Sequence, residues 1–302
     1  KPTNPPSDKS HGIFATGNGM EDYFQEVWKN QGLLLDGNVL NYGPVGPDPR
    51  IIISGESDII VWDHELDGDG KVTKIHRDKA IGIEMKTNRG YFSKKEIYGF
   101  GNKIYVNGSP KIEHVMQTAI YLHMRKPLEE YYGVRIESFR IVYCQVDDGH
   151  TTWFDISLSD GYDGEIIVKD RYGIELEPDA LASLEAGAPM QKISGLTMDK
   201  IKDRYYKVLD HLKDTENPPP RDFQLRYDAE TFELKMERGE LSKTAIGNWE
   251  KKPNMEVGDW NCRYCDWGDT CYPYGIHTNA VEDGELTPEK AMSMLGISAF
   301  GA

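Results

Sequence analysis

A glutamate and a lysine in the middle of a short apolar run are the residues most able to do chemistry. In AIGIEMKTNRG, residues 80–90, strand alternation places Glu84 and Lys86 on one face and the aliphatic side chains on the other. A carboxylate and an ammonium among aliphatic residues are costly to desolvate unless other charges compensate them. An isolated E-x-K pair is also typical of a solvated sheet face with a cross-strand ion pair. The rest of the chain decides between these two interpretations.

A second carboxylate lies in the preceding predicted strand. Asp58 ends the segment SGESD, and adjacent strands would bring it to the same point as Glu84 and Lys86. Two carboxylates there can hold a hard cation such as Mg²⁺ or Mn²⁺ through oxygen, and the Met85 carbonyl can add a further oxygen ligand. Lys86 would then lie beside the attacking water and a substrate phosphate, where it neutralises developing charge or orients the water. These residue types predict metal-dependent hydrolysis of a phosphodiester.

The elements that must position these residues have a mixed α/β pattern. Helical periodicity covers residues 14–31, 110–126 and 198–216, while strands are predicted over 51–63, 80–86, 135–146, 151–159 and 164–170. A glycine- and proline-rich loop is expected over 32–50, a hairpin turn over 63–74, a polar helix over 228–250 and a short helix after Thr287. The chain has neither a G-x-G-x-x-G nor a Walker loop, so nucleotide binding has little support.

Composition bounds the class of protein. The 302 residues are enough for one large domain or two small ones. The net charge of -15 argues against a general nucleic-acid coat, but not against an enzyme that places divalent cations between itself and a phosphate. No apolar run approaches the about 18 residues of a membrane helix, and no signal peptide is visible, so we expect no membrane partner.

Two motifs in this order resemble a known family. G-E-S-D, ending at Asp58, followed by E-x-K in the next strand resembles the core of the PD-(D/E)xK nuclease superfamily, with Ser57 in place of the leading proline. Downstream, PKIEHVMQTAIY contains Gln117 and Tyr121, four residues apart and therefore on one helix face. That Q-x-x-x-Y helix resembles the RecB-type branch of the superfamily.

The first predicted helix adds to the resemblance. FATGNGME is similar to the F-x-x-G-x-x-x-H segment of the RecB-type branch, with Glu21 where many members have histidine. The resemblance implies a restriction-endonuclease-like α/β fold, a mixed central sheet flanked by helices, in a nuclease core over residues 1–220 with a β-meander insertion around 145–195. It also implies the site residues: metal ligands Glu21, Asp58, Glu84 and Met85, and catalytic residues Asp58, Glu84, Lys86, Gln117 and Tyr121, the last two positioning the substrate backbone or Lys86.

The cysteines predict a second metal site. Three of the four form C-x2-C-x5-C at Cys262, Cys265 and Cys271, unlike the scattered pattern of a secreted disulfide scaffold. Three thiolates are one ligand short of a closed tetrahedral site. A zinc ion completed by His277 is the alternative to an iron–sulfur cluster.

The surrounding segment DWNCRYCDWGDTCY resembles the C-terminal cysteines of the iron–sulfur members, among them the CRISPR-associated exonucleases and related viral and helicase-linked nucleases. The resemblance implies a 4Fe-4S cluster that fastens residues 221–275, a helical and cysteine-rich segment, back onto the core, followed by a tail over 276–302. In those members the fourth cysteine precedes the first helix. We therefore expect the fourth ligand upstream of residue 1, with Cys144, in the predicted strand RIVYCQV, as the alternative within the chain.

The resemblance implies a Mg²⁺- or Mn²⁺-dependent deoxyribonuclease, favoured as an exonuclease acting on DNA ends or single strands. It implies helicase, recombination or CRISPR-adaptation partners and an intracellular location, in the cytoplasm of a prokaryote or of a virus-infected host cell. Two other functions stay open: a non-catalytic module that binds DNA ends, and a zinc-stabilised scaffold. Metal-dependent hydrolysis separates the first function from both.

Overall fold

The computed structural model describes residues 8–44, 52–68, 71–99, 108–176, 196–213, 221, 223–237, 239–265 and 267–296. The described residues up to 213 belong to one compact unit, and those from 221 onward belong to a second. Among the described residues, no helix has the length and apolar character needed to cross a membrane.

The first unit is built on a six-stranded mixed sheet. Its strands, in spatial as well as chain order, are β1 (Leu34–Pro44), β2 (Ile52–Leu66), β3 (Val72–Asn88), β4 (Arg135–Gln145), β5 (Thr151–Asp160) and β6 (Asp163–Asp170). Neighbouring strands are antiparallel except β3 and β4, which are parallel. Strands β5 and β6, which the sequence analysis assigns to a meander insertion, extend this same sheet.

Five helices lie among the described residues of this unit. They are α1 (Asp8–Asn30), then α2 (Tyr91–Tyr98), α3 (Ile112–His123) and α4 (Lys126–Tyr132) in the crossover from β3 to β4, and α5 (Met198–Lys213) after the sheet. A parallel strand pair requires such a long crossover, because the chain must return to the same end of the sheet.

Two apolar clusters lie on opposite faces of the sheet. Side chains of β2 and β3 such as Ile59 and Ile83 pack with Phe24 and Trp28 of α1. On the other face the core joins α3, α5 and the strands, and Gly82 of β3 lies so close to the Phe139 ring that a Cβ atom there would be 2.2 Å from it. The α/β class, with a mixed sheet flanked by helices, is therefore confirmed.

The structure differs from the predicted elements at several places. The predicted loop at 32–50 contains strand β1, because residues such as Val39 are buried against the sheet while its glycines lie in extended backbone. Helices α2 and α4 were not predicted. The single polar helix expected over 228–250 is two helices, separated at Gly239, whose φ of 67° is left-handed, and the second begins at the N-cap Ser242.

The second unit consists of short helices. They are α6 (Ala229–Glu237), α7 (Lys243–Lys251), α8 (Gly268–Cys271), α9 (Thr278–Glu282) and α10 (Pro288–Met294), with 3₁₀ turns at Trp260–Tyr264 and Gly275–His277. The Phe232 and Trp249 rings stack at 3.9 Å between centroids and join α6 to α7. The predicted cap of the last helix is confirmed, since the Thr287 side chain accepts a hydrogen bond from the Lys290 amide.

Candidate active site

The candidate site forms where β2 and β3 separate. Their pairing ends at Ile59 and Ile83, whereas β2 continues paired with β1 and β3 continues paired with β4. We call the diverging ends, Ile52–Asp58 of β2 and Glu84–Asn88 of β3, the strand split. At its vertex, Oδ2 of Asp58 accepts a hydrogen bond from the Met85 amide at 2.6 Å. A side-chain carboxylate therefore takes the position that a backbone carbonyl would hold in a continued ladder.

Contacts from β1, β3 and α1 fix the backbone at Asp58. Asn38 of β1 lies opposite it, between the pairs Gly37–Ile59 and Val39–Ser57, and has a positive φ of 54°. Asparagine tolerates this left-handed conformation better than most residues with a Cβ atom. From α1, Gln25 donates to the Asp58 carbonyl oxygen at 3.4 Å. The vertex of the strand split is thus held by β1, β3 and α1.

Glu84 and Lys86 lie on the face of β3 that meets α3, as the alternation predicts. Lys86 Nζ is 2.6 Å from Glu84 Oε1, and only 2% of the Glu84 side chain and 22% of the Lys86 side chain are exposed. Burial raises the pKa of Glu84, while the Lys86 charge and the nearby Gln117 amide lower it. The second oxygen, Oε2, is buried and has no hydrogen-bond partner within the described part of the chain. A buried carboxylate oxygen without a donor is a ready ligand for a cation.

The two carboxylates destabilise each other's ionised form. Burial, followed by the Glu84 charge, raises the pKa of Asp58 to about 7, although the hydrogen bond from the Met85 amide lowers it in part. A divalent cation would remove this penalty by compensating both charges. The donor set fits Mg²⁺ or Mn²⁺, because such ions bind through one or two carboxylates and keep several waters.

Gln117 and Tyr121 brace the strand split from α3. Gln117 Nε2 donates to the Tyr121 hydroxyl at 2.8 Å, and that hydroxyl donates to the Glu56 carbonyl oxygen of β2 at 3.0 Å. Burial, followed by the charge of Glu84, raises the pKa of Tyr121 to about 12, so the hydroxyl remains a donor at neutral pH. Gly55 allows this approach, since a Cβ atom there would be 2.6 Å from the Tyr121 ring.

Glu21 lies close enough to the site to interact with its charged groups. It belongs to α1, and burial raises its pKa, while the Lys86 charge lowers it. Its own charge raises the pKa of both Asp58 and Glu84, so the three carboxylates share one electrostatic environment. However, no three aspartate, glutamate, histidine or cysteine side chains in the described residues are close enough to hold one ion together. The contacts support Asp58 and Glu84 as a pair, while Glu21 and the Met85 carbonyl stay predicted ligands.

The cysteines lie in the second unit, apart from Cys144. Cys262 is in a 3₁₀ turn. Burial raises the pKa of its thiol most, and the charges of Asp259, Cys265 and Cys271 raise it further. The three thiols therefore lie near one another, although the described residues contain no assembled group of three metal ligands.

The two predicted alternatives for a fourth ligand are both buried. His277 is buried, and its Nε2 has no hydrogen-bond partner among the described residues. Cys144 is buried in β4, where it pairs with Thr151 of β5, and burial followed by the Asp148 charge raises its pKa. It is a core residue of the sheet in the first unit.

His114, which the sequence analysis missed, also lies near Lys86. The Lys86 charge is, after burial, the largest influence on its pKa. The sequence could have indicated His114 through its position three residues before Gln117, which places both residues on one face of α3.

The comparisons with known proteins give little support for any family. No protein-family model matches the sequence, and no curated protein matches it. Among solved structures, the crystal structure of SSO0001 aligns with 22% identity and a TM-score of 0.29, over 47% of this chain and 50% of SSO0001. The aligned part thus spans half the length of SSO0001, and the likeness is too low to carry an argument.

Proposed function

We propose that this chain is a divalent-metal-dependent nuclease that hydrolyses phosphodiester bonds of DNA. The observation that carries the proposal is the vertex of the strand split: Asp58 beside a buried Glu84 with an unpartnered oxygen, and Lys86 in contact with Glu84. Two carboxylates with one ammonium leave an excess of negative charge that a cation would balance. This arrangement supports the interpretation that E-x-K is a site rather than a solvated ion pair.

Each residue has a role that its contacts support. Asp58 and Glu84 would hold Mg²⁺ or Mn²⁺, which supplies Lewis-acid neutralisation of phosphoryl oxygens and acidifies water when bound. Lys86 stabilises the negative charge that develops at phosphorus as the water oxygen bonds to it and the P–O bond to the leaving sugar breaks. Gln117 lies between Glu84 and Tyr121 and fixes the orientation of the Glu84–Lys86 pair.

The finer assignments belong to the same proposal. They are membership of the RecB-type branch of the PD-(D/E)xK superfamily, a restriction-endonuclease-like sheet, exonuclease action on DNA ends or single strands, and a 4Fe-4S cluster on Cys262, Cys265 and Cys271. The antiparallel β1–β2–β3 order followed by a parallel β3–β4 crossover that contains the Q-x-x-x-Y helix supports this proposal. A helicase, recombination or CRISPR-adaptation partner and an intracellular location complete it.

The test is cleavage of end-labelled single- and double-stranded DNA with Mn²⁺, with Mg²⁺ or with EDTA. Lys86→Ala is compared with Lys79→Ala, a matched control on the same strand whose ammonium pairs with Glu137 at 3.1 Å. We expect metal-dependent shortening by the wild type and by Lys79→Ala, and its loss in Lys86→Ala.

The other outcomes distinguish the alternatives. DNA binding without hydrolysis by the folded wild type would identify a non-catalytic DNA-end-binding module. Neither binding nor hydrolysis, with stoichiometric zinc, would favour a scaffold. Undiminished cleavage by Lys86→Ala would place the chemistry elsewhere.

A further inference from the structure

The end of β3 that carries Lys86 is paired with a strand on one edge only. Within the described sheet, β2 pairs with β3 as far as Ile83, so the segment Glu84–Asn88 has β4 as its one strand neighbour. At the start of this segment, the Met85 amide donates to the Asp58 side chain. A strand paired on one edge has fewer hydrogen bonds to hold it than a strand inside a sheet. The place of the Lys86 ammonium therefore depends on what else holds the segment.

A buried hydrogen bond between side chains holds the far end of the segment. Asn88 follows Lys86 by two residues, so it lies on the same face of β3, and it is paired with Gln145 of β4. Asn88 Nδ2 donates to Gln145 Oε1 at 2.6 Å, and only 8% of Asn88 and 1% of Gln145 are exposed. The Val146 amide also donates to the Asn88 carbonyl oxygen at 3.0 Å. The last residue of β3 is thus fixed to the end of β4.

Further hydrogen bonds extend this contact to both ends of α2. Gln145 Nε2 donates to Asp147 Oδ2 at 2.8 Å, and the same oxygen accepts from the Gly90 amide, just before α2, at 3.1 Å. At the end of α2, the Tyr98 hydroxyl donates to Asn88 Oδ1 at 3.1 Å. Both carboxamides therefore use their oxygen and their nitrogen. An apolar replacement of either one would leave a buried partner without its hydrogen bond.

We infer that Asn88 and Gln145 are positioning residues for Lys86: their hydrogen bond holds the segment Glu84–Asn88 on β4 and so keeps the ammonium at Glu84. This inference rests on the proposed nuclease function. Neither carboxamide touches the substrate in this role, and both act through the β3 backbone. Lys86 Nζ is 2.6 Å from Glu84 Oε1, and a displacement of a catalytic group by about 1 Å can lower a rate about 100-fold.

Three substitutions and one control separate positioning from a merely structural role. Gln145→Met removes both polar atoms from β4 and leaves β3 unchanged, while Asn88→Leu removes the other side of the pair. Gln145→Glu keeps an oxygen that can accept from Asn88. The control is Asp170→Ala on β6, which removes a buried carboxylate whose Oδ1 accepts from the amides of Tyr172 and Ile174 at 2.9 Å. The measurements are Tm, and kcat and KM with an end-labelled single-stranded oligonucleotide and Mn²⁺, well below every Tm.

We expect Gln145→Met and Asn88→Leu to lower kcat by about tenfold or more and to change KM by less than about threefold, since Lys86 acts on charge that develops in the transition state. Gln145→Glu should recover most of the kcat lost in Gln145→Met. Asp170→Ala should lower the Tm and keep kcat. In a Lys86→Ala background, Asn88→Leu should reduce the residual rate no further, because the group that it displaces is already absent.

Three results would overturn the inference and leave the proposed function standing. They are wild-type kcat in both Gln145→Met and Asn88→Leu, an equal loss of kcat in Asp170→Ala, and a full additional loss when Asn88→Leu is combined with Lys86→Ala. Each would show that the carboxamide pair only stabilises the sheet. If the wild type itself does not cleave DNA, the proposed function fails first and this inference fails with it.

Discussion

Removing one carboxylate of the Asp58–Glu84 pair should stabilise the protein while it abolishes cleavage. The pKa of Asp58 is about 7 in the folded protein against 3.8 for an unperturbed aspartate. Because the folded pKa is raised, the stability contribution of the carboxyl is complete below pH 3.8 and is lost as the pH rises to 7. Relative to pH below 3.8, the raised pKa lowers the free energy of unfolding by about 4 kcal/mol at pH 8 and by about 2 kcal/mol at pH 5, at about 1.4 kcal/mol per pKa unit.

Asp58→Asn keeps an oxygen that can accept from Met85 and removes the charge. Burial and then the Glu84 charge cause that cost, and the amide that replaces the carboxylate is still a buried polar group, so we expect about half of the cost to be recovered. This corresponds to about 2 kcal/mol at pH 8, or an increase in Tm of roughly 4–8 °C, and to less at pH 5. Mn²⁺ should raise the Tm of the wild type at pH 8, because a ligand of the folded state stabilises it, and should have little effect on the variant.

The assay is thermal unfolding at pH 5 and pH 8, with Mn²⁺ or EDTA. The matched control is Asp155→Asn on β5, which removes a carboxylate bonded to Arg140 at 2.6 Å and 3.0 Å. That variant should lose stability and keep the Mn²⁺ response. A lower Tm for Asp58→Asn at pH 8, together with no Mn²⁺ effect on the wild type, would mean that Asp58 is a structural acceptor for Met85 and that the reasoning is wrong.

Three further predictions concern packing, acid stability and the cysteines. Gly82→Ala should lower the free energy of unfolding, measured in urea, by about 1–3 kcal/mol, because its Cβ would lie 2.2 Å from the fully buried Phe139 ring. The control Gly19→Ala on α1, where a Cβ has nothing within 4 Å, should not lower it. Equal destabilisation by both substitutions would contradict the packing argument. His114 has its pKa lowered to about 3, so its stability contribution is present above pH 6.5 and is lost as the pH falls toward 3. Between pH 8 and pH 5, the free energy of unfolding of the wild type should fall by about 2 kcal/mol more than that of His114→Gln. If the free energies of unfolding of the two proteins fall in parallel with pH, the imidazole is not buried and neutral. Anaerobically prepared protein should carry iron, acid-labile sulfide and visible absorbance, all reduced in Cys262→Ser; stoichiometric zinc without absorbance would refute the iron–sulfur assignment.

Alternation and helical spacing were sufficient to predict the central elements. In the run at 80–86 the large apolar residues Ile81, Ile83 and Met85 share one face, which predicted that Glu84 and Lys86 lie on the other. The four-residue spacing of Gln117 and Tyr121 likewise predicted one helix face, and the two side chains are hydrogen-bonded. These successes rest on local periodicity, which depends on residues close in the chain.

The features that required the structure are long-range. Strand β1 contains two glycines and two asparagines, residues typical of loops, and it is a strand because it pairs with β2 along its length. The end of the β2–β3 pairing at Ile59, which opens the site, depends on partners on either side of the sheet. His114 was missed because its importance comes from Tyr143, 29 residues away in sequence.

The charge count at the strand split argues against an ion pair retained for stability alone. A structural pair would match Lys86 with one carboxylate and satisfy every oxygen, and replacing such a pair by apolar residues is often neutral or stabilising. Here the carboxylates that are partly or fully buried, Glu21, Asp58 and Glu84, share a single ammonium. One buried oxygen of Glu84 has no donor among the described residues, and burial followed by the Glu84 charge raises the pKa of Asp58 to about 7. When all three are ionised the formal charge is two units negative, which one divalent cation balances. The fold therefore tolerates, around the buried Glu84, an imbalance of charge that a bound cation would remove.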